Sequence, residues 1–233
     1  MVLLKEKKYY DGFAEYWDGQ FTSRAGRNFR NRKLLFLREC LDRVEGVVLD
    51  VGCATGFFTS RLGDDKRVVV GVDMSEGMVR YAGDKHPDTR FVVCPAELLS
   101  TKFGDVDCIF MMGVFTLDSA AVLLGECRKV LREGGKLVVI TGNGDNFYLR
   151  FIYNLLYPTL PARLSTVNSL ESTLARYGFR VTRRKVFHLV PFMVPDWLFG
   201  VCKFVEDKLE GSFLVSFLGS IIGVESVKVG KNL

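Results

Sequence analysis

Only two histidines, His86 and His188, occur in the 233 residues, and none of the six cysteines stands in a Cys-x-x-Cys pair. That leaves no Cys/His spacing suited to zinc, no disulfide framework and no metal site to expect. Cys40, Cys53, Cys94, Cys108, Cys127 and Cys202 are scattered instead, several within apolar runs, as reduced buried thiols of a cytoplasmic protein are. No secretory signal is expected from the opening residues either, because four apolar residues give way at once to Lys5, Lys7 and Lys8. The longest uncharged apolar stretch, Ser212 to Val224, falls short of the roughly 18 to 20 residues that span a bilayer. No internal repeat and no low-complexity linker divides the chain. With 48% apolar and 25% charged residues the expectation is one folded α/β domain over 1–233, and the net charge of +5 selects no partner by itself.

What is present alternates. Gly46 to Gly52 is a short β-branched run that ends in an acid and a glycine, and Arg67 to Asp73 repeats the design. Phe57 to Leu62 between them suits a crossover helix, which makes a βαβ unit. Ser75 is placed to cap a helix through Tyr81. Arg90 to Cys94 and Asp107 to Met112 read as the third and fourth strands. Ala120 to Leu131 has helical spacing of its apolar residues, with Gly134 and Gly135 stopping it before a fifth strand, Lys136 to Ile140. Five strands alternating with helices predict an open, doubly wound, mostly parallel sheet of Rossmann-like form.

After Gly144 the alternation stops. Phe147 to Leu164 is apolar and aromatic and reads as an inserted cap. A helix from Ser169 to Tyr177, a strand over Phe179 to Val190, a helix over Trp197 to Leu209 and a last strand over Ile221 to Val229 complete the expectation. Residues 1–44 then form N-terminal helices, 45–142 the central unit, and 143–233 the cap with the last two strands.

The strand-turn-helix carrying Asp50-Val-Gly52-Cys53-Ala54-Thr55-Gly56 points to a ligand at the carboxyl end of the sheet, with backbone N–H groups beside the crevice. Asp73 ends the second strand about 20 residues further along, where a carboxylate can accept both hydroxyls of a ribose. A nicotinamide or flavin site is the competing reading, but its Gly-x-Gly-x-x-Gly fingerprint needs glycine where Ala54 and Phe57 stand. Met74 and Met78 follow Asp73, as packing residues or against an adenine face.

Between Leu49 and Thr141 these pieces resemble the class I S-adenosylmethionine-dependent methyltransferases, in particular the small-molecule group that contains quinone- and lipid-biosynthesis enzymes. The resemblance rests on the loop Asp50 to Gly56, on Asp73, on Cys94-Pro-Ala-Glu97, and on Glu126-Cys-Arg-Lys-Val-Leu-Arg-Glu-Gly-Gly135, which is similar to the family's E-x-x-R-V-L-x-P-G-G segment. It implies seven strands in the order 3-2-1-4-5-7-6, with S-adenosylmethionine as cofactor and S-adenosylhomocysteine as product. Carried over, Gly52, Cys53 and Gly56 line the methionine part and Asp73 binds the ribose. Ala96 offers its backbone N–H to adenine, and Met111 and Met112 bring backbone groups near the methionine moiety. Ala54 replaces the usual middle glycine, and Pro95 stands where many relatives have an aspartate, with Glu97 as its candidate substitute. Tyr9 to Trp17 resembles an opening helix that folds over the cofactor, from which Tyr10 or Tyr16 can reach its carboxylate; a helix docking its aromatics on the sheet is the alternative.

Displacement at a sulfonium needs alignment and exclusion of water rather than a catalytic triad, so no catalytic residue is assigned. Phe147 to Leu164, Phe192, Met193, Trp197 and Phe199 suggest an apolar acceptor of lipid, aromatic or isoprenoid type, and the cap is a candidate for peripheral membrane contact. Arg24, Arg27, Arg30, Arg32 and Lys33, like Arg183, Arg184 and Lys185, read as solvated basic faces. The segment after strand four, Met111 to Phe115, also lacks the Asn/Asp-Pro-Pro-Tyr/Phe motif, so nucleic acid is disfavoured as a partner. The expectation is a small-molecule methyltransferase, monomeric or homodimeric. A cofactor-binding protein without transferase activity and an RNA methyltransferase are the alternatives.

Overall fold

A computed structural model describes residues 11–115, 119–146, 149–151, 164–191 and 194–230. Its centre is one sheet in the order β3-β2-β1-β4-β5-β8-β7, built from β1 (Gly46–Val51), β2 (Arg67–Asp73), β3 (Arg90–Val93), β4 (Val106–Met112), β5 (Leu131–Asn143), β7 (Phe179–Phe187) and β8 (Ile221–Lys228). The two-residue β6, Leu164–Ser165, pairs with the end of β5 off this path. Leaving β6 aside, the order is the one expected from the resemblance. The pairs β2–β1, β1–β4 and β4–β5 are parallel, whereas β8 runs antiparallel to both β5 and β7. The carboxyl ends of β1, β2, β4, β5 and β7 therefore share one edge of the sheet.

Strands buried on both faces read as continuous apolar runs, and here each face carries its own core. On one side Leu49, Val72, Ile109, Leu137 and Val224 pack with the helices Ala120–Val130 and Val167–Arg176. On the other, Val48, Phe110, Val138 and Ile140 pack under Leu34, Phe36, Leu37 and Cys40 of the helix Arg24–Leu41. Five cysteines are buried, and Cys202 is partly exposed. No described helix is long and apolar enough to cross a membrane.

Several boundaries differ from the sequence reading. The first crossover is a single turn, Thr59–Leu62, because Phe57 and Phe58 belong to the loop that leaves Gly56. The helix capped by Ser75 continues to Lys85. Gly134 and Gly135 do not stop a helix: it ends at Val130, Leu131 pairs with Val106, and the register resumes only at Cys108 with Lys136. The glycines form the bulge between those pairs, where Gly134 has φ +73°. The later helix spans Val167–Arg176, with Thr166 and Ser169 capping each other, and β7 stops at Phe187. A further helix, Phe213–Leu218, occupies the apolar stretch before β8. Most of the expected cap, together with Tyr9, Tyr10, Phe192 and Met193, lies outside the described residues.

Gly223 of β8 lies directly beneath the Phe36 ring, whose Cζ would stand 2.7 Å from an added Cβ. Phe36 is itself locked by Phe187, with ring centroids 5.4 Å apart. Gly223→Ala should therefore cost about 1–3 kcal/mol of stability, read as a lower urea midpoint at unchanged slope.

Candidate functional site

The turn after β1 is wound by three left-handed residues at alternate positions, Gly52 (φ +77°), Ala54 (φ +47°) and Gly56 (φ +75°). Its amides are turned inward. Gly52 N and Cys53 N both donate to Val72 O, at 2.7 and 3.1 Å, Ala54 N donates to Asp73 Oδ2 at 2.9 Å, and Gly56 N donates to Cys53 O at 3.0 Å. The N–H groups expected to face a crevice thus tie the loop to the end of β2. Each glycine answers a particular neighbour: a Cβ on Gly52 would strike Val114, and one on Gly56 would lie 2.6 Å from Phe91 and 3.2 Å from Ala82.

Two carboxylates flank this turn. Asp50 is buried, its Oδ2 accepts the Thr59 hydroxyl at 2.6 Å, and its Oδ1 has no partner among the described residues. Burial, with the charge of Asp73 adding to it, pushes the Asp50 carboxyl up to about 7 against the Thr59 hydrogen bond. Asp73 accepts from Ala54 N through Oδ2 and from Ser75 N, 3.0 Å away, through Oδ1. Burial raises its pKa and outweighs the backbone hydrogen bonds that lower it. One bond to each oxygen leaves the carboxylate capacity for two more donors.

The N-terminal segment is strapped over the same place. Asp11 Oδ1 accepts from Ser75 Oγ at 2.7 Å and from Gly77 N at 3.1 Å, at the start of the helix Glu76–Lys85. Its carbonyl sits where a Cβ on Gly77 would be. In the helix Ala14–Gly19, Asp18 accepts from Arg30 Nη2 at 2.7 Å, from Thr55 Oγ1 at 3.3 Å and from Lys85. Burial alone would raise the Asp18 carboxyl, but its bonds to Lys85 and Arg30 prevail and hold it below the usual range.

The other expected residues divide. Met111 is fully buried in the first core, between β1 and β5, whereas Met112 packs toward the second. Met78 and Cys53 are buried, Thr55 is buried beside Asp18, and Met74, Ala96 and Glu97 are partly exposed. Tyr16 is largely exposed, its ring tilted against Phe13 with centroids 4.7 Å apart. Asp11, Asp18, Arg30, Gly77 and Val114 went unread because nothing in their local pattern announces contacts made across so much chain; an acid just ahead of the Tyr16-Trp17 helix was the one available signal.

A second polar group lies at the end of β7. His188 (φ +72°) is buried, with Nδ1 3.3 Å from Oε1 of the equally buried Glu206 but not aligned for a hydrogen bond. Glu206 accepts from Asn28 Nδ2 at 3.0 Å and from Leu189 N at 2.8 Å. Burial would raise it, yet His188, Asn28 and the Leu189 amide hold it down to about 2. Phe29 meets His188 edge-on at 5.1 Å, and Lys33 Nζ stands 3.8 Å above the Phe29 ring. Burial, and Arg30 to a lesser degree, bring the Lys33 amine down to about 7. A cavity of about 150 Å³ reaches this group, bordered also by Ser212, Arg32 and Lys185. His86, by contrast, is at the surface near Phe91.

Five of the eight cations in the two basic runs are paired with carboxylates. Arg183 and Lys185 pair with Glu39, Arg184 with Glu171, Arg32 with Glu210, and Arg30 with Asp18. Among the described residues no group of acids, histidines and cysteines is arranged to hold a metal.

Residues 48–135 match a family model described as a methyltransferase domain. A demethylmenaquinone methyltransferase of Beutenbergia cavernae is 37% identical over 40% of this chain and 39% of its own length. The biotin biosynthesis bifunctional protein BioHC of Cellvibrio japonicus is 34% identical over 46% of this chain and 21% of its own. The chain thus spans well under half of these curated relatives. Over nearly its whole length, 97% of this chain and 98% of the other, it superposes on the magnesium protoporphyrin IX methyltransferase of Synechocystis with bound SAH, at a TM-score of 0.65 and 14% identity. That likeness fixes the fold.

Ala54 holds a backbone conformation that glycine adopts without strain. Ala54→Gly should therefore raise stability by about 1 kcal/mol, the left-handed cost exceeding the entropy a glycine adds to the unfolded chain. A thermal melt at two protein concentrations reads it; an unchanged or lower Tm would mean that the turn relaxes around alanine.

Proposed function

We propose that this chain, with the methyltransferase domain of residues 48–135 as its core, transfers a methyl group from S-adenosylmethionine to a small apolar acceptor. The observation that carries the reading is the pair of carboxylates about the Gly52 turn, each with capacity left over. Asp73 has room for the two ribose hydroxyls. The buried, partnerless Asp50 Oδ1 suits the ammonium group of the methionine part, since an orphaned acceptor of that kind costs free energy until a donor meets it. Gly52 and Cys53 would border the methionine part through their backbone, and Ala96 the adenine, with Met74 and Glu97 beside it. Tyr16 and the strap held by Asp11 and Asp18 would close the site from above.

The cofactor supplies an electrophilic methyl group on a sulfonium. What the protein adds is alignment and dryness. Phe29 and Met112, packed between the helix Arg24–Leu41 and the strand ends, support an apolar acceptor on the β4–β7 side of the edge. Lys33 and His188 adjoin Phe29 there, and the Lys33 amine near 7 is able to take a proton from an acceptor hydroxyl at neutral pH. The pairing of Arg183, Arg184 and Lys185, and of Arg30 and Arg32, with carboxylates favours a small acceptor over nucleic acid, which needs unpaired cations to displace counterions.

Calorimetric titration with S-adenosylhomocysteine, with NADH in parallel, tests the cofactor class. Saturable binding of the first alone is expected, and Asp73→Ala should weaken it by about 2–3 kcal/mol, with some loss of stability because Ala54 N and Ser75 N lose their acceptor, read separately by a thermal melt. NADH binding alone, or unchanged affinity in the variant, overturns the assignment.

The Asp50 carboxyl supplies a second check. Its folded pKa near 7 means that it is protonated in the free protein at mildly acidic pH, whereas an ammonium partner favours the carboxylate. Ligand binding at pH 6 should release a proton, seen as a binding enthalpy that depends on the ionisation heat of the buffer. The effect should fade above pH 8 and vanish in Asp50→Asn.

A further inference from the structure

The helix Asp196–Leu209 leaves most of its large apolar side chains outside. Its one buried residue is a carboxylate, Glu206, at 1% exposure, while Trp197, Val201, Phe204 and Val205 form an exposed stripe along one face, with Trp197 81% exposed. The helix packs on the helix Arg24–Leu41 rather than on the sheet, and its inward contacts include polar ones, Glu206 with Asn28 and Arg24 N with Asp196 Oδ1 at 3.2 Å, beside the half-buried Leu198, Phe199, Cys202 and Leu209. The next helix, Phe213–Leu218, continues the surface. Phe213, Leu214, Phe217 and Leu218 are exposed, and the Phe213 and Phe217 rings touch edge-on at 5.1 Å. Eight large apolar side chains thus lie outward on two consecutive helices.

We propose that these two helices lie in the interfacial layer of a lipid bilayer. The surface suits that occupant in three ways. A patch of this size on a water-facing protein marks an interaction site, and a tryptophan with several phenylalanines on the outer face of a helix is the composition of an interfacial anchor. At the rim, Lys208 Nζ sits 5.6 Å over the Phe204 ring, an amine held above an apolar face as a snorkelling side chain is.

Charge points to the mode of binding. Lys203 pairs with Asp207, and Glu210 with Arg32, so the two helices present little net charge. Insertion of rings rather than attraction to anionic headgroups holds the protein there, and zwitterionic lipid suffices. This surface differs from the cap over Phe147 to Leu164, and it stands independently of the cofactor assignment. If both readings hold, an acceptor dissolved in the bilayer reaches the strand ends beside Glu206 and His188 without crossing water.

Trp197 is one of only two tryptophans and serves as the probe. The full chain is mixed with phosphatidylcholine vesicles, with and without phosphatidylserine. Sedimentation and tryptophan emission are recorded at low and high salt, and binding of S-adenosylhomocysteine is measured separately without vesicles. Co-sedimentation with a blue-shifted emission is expected on both lipids and should change little with salt. Phe204→Ser with Phe217→Ser should weaken partitioning roughly tenfold per ring, with the far-ultraviolet circular dichroism and the nucleoside affinity unchanged. Absence of co-sedimentation overturns the proposal, and so does binding confined to anionic vesicles at low salt. A dimer in solution that the double variant dissociates overturns it in favour of a second copy of the chain.

Discussion

The junction between the turn after β1 and the end of β2 governs the rest of the molecule. Two amides, Gly52 N and Cys53 N, converge on the Val72 carbonyl, and a third, Ala54 N, is taken by the Asp73 carboxylate. Adjacent parallel strands place these groups side by side, because Asp50 pairs with Gly71 and Val51 with Val72 in the register. A loop bonded this way has little freedom to rearrange, so Asp50 and Asp73 are held in place by the fold. The positive φ values follow from the same demand: the chain must reverse within a few residues while presenting its amides to β2.

Closure over that junction is electrostatic. Asp11 satisfies the Ser75 hydroxyl and the Gly77 amide at a helix start, and Asp18 gathers Arg30, Lys85 and Thr55 from three different elements. A helix start favours an acid, and a carboxylate shared among cations is held ionised. The strap and the loop are thereby parts of one network, and a change in either is felt by the other.

At the opposite end of the strand edge the usual distribution of polarity is reversed. Glu206 is buried where an amphipathic helix would put a leucine, beside the buried His188, while Trp197, Phe204, Phe213 and Phe217 face outward. A carboxylate in that position persists because Asn28 and the Leu189 amide hydrogen-bond it, so the outer helix is registered on Arg24–Leu41 by polar contacts while its apolar face stays available.

Periodicity and punctuation alone determined the βαβ alternation, the strand cores of β1, β2, β4 and β8, the Ser75 cap and the two acids Asp50 and Asp73, because each depends on residues adjacent in the chain. Gly134 and Gly135 show the limit: a glycine pair signals a break, but only the pairing of Leu131 with Val106 makes it a bulge within a strand. The loop glycines are similar, since their need for positive φ was legible while their neighbours, Val114, Phe91 and Ala82, come from β3, the loop after β4 and a helix. The strap acids, the Glu206–His188 group and the outward turn of Trp197 and Phe204 were decided by tertiary structure alone. Helical spacing marks an apolar stripe without saying whether it meets a core or solvent, and pairings such as Asp11 with Ser75 and Asp18 with Lys85, made between separate elements, leave no local trace.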